Sequence, residues 1–183
     1  MNYKKTCNKI CLKLKDGKIK PAQSEFTISG QVNYPSHLYA NGNVEMIVVF
    51  HPYALKAFLN LPISLLHNQE VSGYDLGNKY LEELVTQIFD CENTKSCITI
   101  IEQWLLSQIA DDQTSKTVCN IQRIASAIQQ LFLRPAISVT ELASTACLSK
   151  KQFERLFNEL VGANPKEYAR IARFQKSLKL LQF

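Results

Sequence analysis

Residues 137–174 read ISVTELASTACLSKKQFERLFNELVGANPKEYARIARF, and their apolar spacing and capping residues decide the fold of the C-terminal third. Thr140 stands as an N-cap or early-turn residue, with Glu141 favourable beside a helix start. Leu142 and Ala143 face inward in this short helix, and the small Ala143 lets the next helix approach closely. Cys147 and Leu148 make a turn, with Leu148 as its buried plug. Ser149 then caps a second helix, and Gln152 three residues on completes a capping box. Phe153, Leu156, Phe157 and Leu160 recur at helical spacing as a core face. Gly162 ends that helix as a residue able to take positive φ, and Asn164-Pro165 starts a third, basic helix.

A short helix, a tight turn and a second helix with a cationic first turn form the layout of a helix-turn-helix. Such a unit places its second helix in the DNA major groove. Left outward on that helix are Lys150, Lys151, Gln152, Glu154, Arg155 and Asn158. These residue types suit base edges: Arg or Lys pairs with guanine O6 and N7, Gln with adenine, and Glu accepts from cytosine N4. The same two-helix pattern also occurs in all-α bundles with no such role.

Upstream, NIQRIASAIQQLFLRP sets Ile121, Ile124, Ala125, Ile128 and Leu131 on one face, ends at Pro135, and would brace the unit. Before it, DDQTSKT (111–117) is polar without apolar periodicity and serves as a linker. The chain is therefore expected to divide into units 1–112 and 117–183. In the first, ICLKLKDGKIK alternates Ile10, Leu12 and Leu14 with polar neighbours and turns at Asp16-Gly17 into a hairpin. EFTISGQV (25–32) and VEMIVVF (44–50) are further strands, the second apolar enough to be buried on both faces. After residue 50 the period becomes helical. PYALKAFLNLP, NKYLEELVTQIFD and SCITIIEQWLLSQIA each gather apolar residues on one face. The fold class is α+β, a β-rich and helical N-terminal unit followed by an all-α one.

Charge is unevenly spread along the 183 residues. Residues 1–20 carry a net +6, residues 21–119 a net −7 and residues 120–183 a net +6. A basic C-terminal third on an acidic body suits a module facing a polyanion, although solvated helix faces give the same count. The six cysteines, at 7, 11, 91, 97, 119 and 147, lack paired C-x-x-C spacing, and the histidines at 37, 51 and 67 are distant. They read as reduced structural thiols rather than metal ligands or a disulfide framework. No nucleophile motif or Gly-rich phosphate loop is present, so neither an enzyme nor a bound cofactor is expected. No run of apolar residues is long enough for a signal peptide or a membrane span, which makes the cytoplasm the expected compartment.

From about Cys119 onward the sequence resembles the AraC/XylS family of bacterial transcriptional regulators. The matching residues are ELA at 141–143, LS at 148–149 and FERLF at 153–157, then Gly162, Pro165, Tyr168, Arg173 and the LL at 180–181. More loosely, VVFHPYALKAFLNLP and the helices up to Ile109 look like the sensor half of one branch of that family. The resemblance implies that Lys151, Glu154 and Arg155 face bases, with Gln152 beside them. It puts Ser149 and Lys150 where base or phosphate contacts are made, and Arg170 and Arg173 near phosphates. Arg173 falls on a family arginine that either orients two subdomains or touches DNA. Three residues depart from the family pattern: Cys147 replaces the usual turn glycine, Asn158 a frequent Lys and Ser177 a frequent Ala.

Family members carry a second helix-turn-helix after the linker helix. No second pattern of that kind occurs in this sequence, and strands before Leu12 are few, so truncation at both ends is expected. The implied function is that of a sequence-specific regulator binding double-stranded promoter DNA through the helix at 149–160. A small-molecule effector and a homodimer are the other partners such a protein would have. The competing expectation is a ligand or protein interaction module that does not bind DNA and pairs with a full-length relative.

Overall fold

The computed structural model describes residues 10–13, 19–21, 24, 26–34, 37–40, 46–59, 61–111 and 115–181. Among these residues, six α-helices and two short sheets make the fold α+β.

The hairpin expected near the N-terminus is present. Strand β1 (Ile10–Lys13) pairs antiparallel with β2 (Ile19–Pro21) in the register Leu12 to Lys20. The turn assigned to Asp16-Gly17 lies outside the described residues. β4 (His37–Ala40) pairs with the other edge of β1, giving the order β2-β1-β4. A separate two-stranded ribbon joins β3 (Thr27–Ser29), inside the expected 25–32 strand, to β5 (Glu70–Ser72). β5 lies beyond residue 50, where the sequence period points only to helices.

Two readings need correction. Residues 46–50 run without a strand partner, and Ile47 and Val49 are 68% and 86% exposed instead of buried on both faces. Apolar, β-branched composition favours a strand, but a ladder needs a neighbouring edge, and the described residues provide none here. The expected helix in PYALKAFLNLP contracts to a single 3-10 turn, Leu55–Ala57. With only a few residues before Pro62, it is too short for the cooperative gain that sustains an α-helix.

α1 (Lys79–Phe89) starts at Asn78, whose Oδ1 accepts from the N–H groups of Tyr80 and Leu81, and it buries Leu81, Leu84 and Val85. It packs on α2 (Thr94–Asp111). Leu59, Leu66, Leu81, Leu84 and Ile101 form one apolar cluster, flanked by Phe26, Ile28, Val71 and Trp104. The polar stretch 111–117 is taken up by helix at both ends, since α3 runs from Ser115 to Leu133.

A second cluster is built by α3, α4 (Val139–Thr145), α5 (Lys150–Val161) and α6 (Pro165–Leu181). Ile124, Ile128 and Leu131 of α3 meet Leu142 and Ala143 of α4, Phe153, Phe157 and Leu160 of α5, and Tyr168 and Ala172 of α6. Phe153 is fully buried, and its ring centroid lies 5.6 Å from that of Phe157. Aromatic bulk at the centre holds the four helices together, of which α4 and α5 are too short to persist alone.

Candidate nucleic-acid interface

The N-cap of α4 lies two residues before Thr140, which sits in the first turn. Ser138 is the N-cap: its hydroxyl accepts from the Glu141 N–H at 3.2 Å, and Glu141 Oε2 accepts from the Ser138 N–H at 2.9 Å. The signal was the S-x-x-E spacing at 138–141, a reciprocal capping box. The Ser138 side chain first, and its backbone N–H second, hold the Glu141 carboxyl below its ordinary range.

The turn to α5 is made by Cys147, which sits at φ +53°. The Leu148 N–H donates to Ala143 O at 3.0 Å and the Cys147 N–H to Ser144 O at 2.9 Å. Those two bonds are the Schellman closure, which satisfies orphan carbonyls at a helix end and needs one left-handed residue. Leu148 is half-buried against the second cluster rather than a fully buried plug.

Ser149 then caps α5 as the sequence predicts. Its Oγ accepts from the Gln152 N–H at 3.3 Å, while Gln152 Oε1 accepts from the Ser149 N–H at 3.1 Å and its hydroxyl at 2.9 Å. Gly162 closes the helix at φ +81°. Between these caps, Phe153, Phe157, Leu160 and Val161 are buried, Leu156 is half-buried and the remaining side chains are exposed.

Lys151, Glu154, Arg155 and Asn158, at i, i+3, i+4 and i+7, form one exposed stripe opposite Phe153 and Phe157. Lys150 and Gln152 flank it, also exposed. Gln152 differs from its neighbours in one respect. Its carboxamide oxygen is engaged in the cap, so a two-point contact with adenine, which needs both the oxygen and the NH₂, is not open to it while the cap stands.

Charge placement in α5 is unfavourable for the isolated helix. Lys150 and Lys151 occupy the first turn, where no acidic residue sits, although the macrodipole there favours negative charge. α4 and α6 both carry a glutamate in that position. Two cations at the positive end of a dipole are stabilised by an external anion.

On α6, Arg170 and Arg173 are exposed. Arg173 Nη1 donates to Pro135 O at 3.2 Å, and Lys176 Nζ to Phe132 O at 3.3 Å. Both cations therefore bind carbonyls at or just beyond the C-terminal end of α3 and brace α6 against it. Sequence reasoning missed Lys176, because nothing local marks a contact made 44 residues away.

Among the described residues, no three His, Cys, Asp or Glu side chains gather as a metal site. Cys91, Cys97, Cys119 and Cys147 are free thiols. No helix among those residues is long and apolar enough to cross a membrane.

No family model matches the chain, and no solved structure does either. The chain is similar to the uncharacterized HTH-type transcriptional regulator YidL of Escherichia coli (strain K12), with 26% identity over 132 residues. The match covers 69% of this chain and 43% of that relative, so the chain spans less than half the length of the protein it matches.

Proposed function

We propose that this chain is a DNA-binding transcriptional regulator of helix-turn-helix type, with α5 as the reading helix. The observation that carries the proposal is the first turn of α5, where Lys150 and Lys151 stand exposed at the positive end of the helix with no acidic residue in that turn. Similarity to an HTH-type regulator supports the same reading. In this reading Lys151, Glu154 and Arg155 meet base edges, Gln152 adds a single donor, and Ser149, Lys150 and Arg170 lie near phosphates. Arg173 serves first as a brace, through Pro135. The finer assignment, to the AraC/XylS type with a sensor unit at 1–112 and a reader at 117–183, rests on the motif resemblance. A small-molecule effector and homodimerisation belong to that assignment.

The mechanism is electrostatic attraction followed by base readout. Lysines and arginines displace counterions from phosphates, and the exposed stripe then discriminates sequence, each good two-point contact contributing about 1–3 kcal/mol. Only one such unit occurs in this sequence, so binding is expected to be weak and strongly salt-dependent. A titration of salt against the chain and a promoter fragment checks this. Affinity insensitive to salt, or no binding at low salt, overturns the reading.

A further inference from the structure

The reader does not stand apart from the N-terminal elements. The 3-10 turn Ile63–Leu66 packs on the C-terminal end of α5. A Cβ added at Gly162 would lie 2.8 Å from Ile63 O and 3.1 Å from Ile63 Cγ2, so the two backbones touch where only glycine fits. One turn further on, the Glu167 carboxylate is held from several sides. Asn164 Nδ2 donates to Oε2 at 3.3 Å, and Asn164 Oδ1 accepts the Glu167 N–H at 2.8 Å, which together cap α6. The other partners come from the opposite end of the chain. Asn33 Nδ2 donates to Oε1, and His67 Nε2 stands 3.7 Å from Oε2. His67 and Glu167 are only 24% and 16% exposed.

Asn33 and His67 are both held by Asn68, whose Nδ2 donates to His67 Nε2 at 3.1 Å. Asn33 N–H donates to Asn68 Oδ1 at 2.9 Å, and the Asn68 N–H donates to Gln31 O at 3.0 Å, with Asn68 itself at φ +56°. Residues 31–34 leave β3 and residues 67–68 lead into β5, so the contact is made by one end of the β3–β5 ribbon. That ribbon presents Phe26, Ile28 and Val71 to the N-terminal cluster. Tyr53 adds a third point, packing against the reader's core.

We propose that the end of the β3–β5 ribbon is a positioning clamp: Asn33 grips the Glu167 carboxylate with His67 packed beside it, Ile63 seats on Gly162, and the pose of α5 is thereby set by the N-terminal cluster. Glu167 and its partners are positioning residues that reach DNA only through α5 and α6, and this role rests on the DNA-binding reading above. Any ligand or partner that shifts β3 against β5 acts on the reader through this carboxylate.

The test uses the full chain with Asn33→Ala, Glu167→Gln and the double variant. Glutamine keeps the backbone N–H bond to Asn164 Oδ1 and one acceptor oxygen, and loses the charge and the second acceptor. Amide hydrogen exchange is followed at 66–69 and 162–168, with the α3 amides 124–131 as the measure of an intact fold, alongside affinity for a promoter fragment. Each single variant is expected to speed exchange on both sides of the contact and to change affinity by about 2- to 30-fold. The double variant adds little to either single one, because both break the same contact. Should Glu167→Gln also loosen α3, Asn33→Ala, which leaves the α6 cap whole, carries the test. Unchanged exchange overturns the clamp, and faster exchange with unchanged affinity overturns its positioning role. If the unaltered chain binds no DNA at all, the functional reading and the positioning role fall together, and exchange alone decides whether the elements are held.

Discussion

Cys147 occupies a backbone conformation that costs an L-residue roughly 1–2 kcal/mol, at φ +53° in the turn before α5. The Schellman bonds from Cys147 and Leu148 hold it there. Glycine would relieve the strain and return part of the gain as unfolded-chain entropy. Cys147→Gly is therefore expected to raise stability by about 0.5–1 kcal/mol, read from the midpoint of urea unfolding at unchanged slope. A lower midpoint would show that the thiol makes a compensating contact. At this scale the sequence was legible where a single residue type carries the signal. Ser149, Gly162 and Pro165 sit where their chemistry demands. Of the two places open to Thr140, N-cap or early turn, it takes the second, because Ser138 two residues earlier offers the same kind of cap and has Glu141 at the right spacing.

α5 carries two jobs on one helix, a buried face that seats it and an exposed stripe that faces outward. Its first turn carries two lysines against the dipole, so the Ser149–Gln152 capping box is the main local support for that end. Ser149→Ala is expected to cost about 0.5–2 kcal/mol and to loosen the turn that presents Lys150 and Lys151. Thermal unfolding measures the first effect, and exchange of the Gln152 amide the second. A variant as stable as the parent would remove the cap from the account. Elements with a strong local period, α1 and α5 above all, could be read from sequence because the apolar spacing is itself the instruction. Residues 46–50 could not, since strand formation depends on an edge supplied from elsewhere in the chain. Composition puts Ile47 and Val49 inside, yet both lie outside, with no strand partner among the described residues.

Across the whole molecule, two apolar clusters meet at few points, and those points were invisible to sequence reading. Asn33 and Glu167 are separated by 134 residues, and no periodicity or motif joins them. Tyr168 marks the same junction from the side of the C-terminal cluster. Burial first, and the Tyr53 phenol second, push its hydroxyl up to about 12 from 10.0. A raised value means that the folded state favours the neutral phenol. Its contribution to stability is complete below pH 10 and is lost as pH rises through about 12. Stability is expected to decline across that window, and Tyr168→Phe to flatten part of the decline, as followed by urea unfolding at successive pH values. Identical pH profiles for the two proteins would place the alkaline loss elsewhere.

The Glu167 carboxylate serves its own helix and a distant ribbon at once, and that shared ownership sets limits on modular engineering. A chimera cut between α2 and α3 severs Asn33 and His67 from Glu167, even though the splice itself falls in a polar, permissive stretch. A graft that preserves this contact must transfer residues 31–34 and 63–68 together with their receiving surface at 162–168. The natural unit of exchange in this protein is thus a matched pair of surfaces rather than a contiguous length of chain.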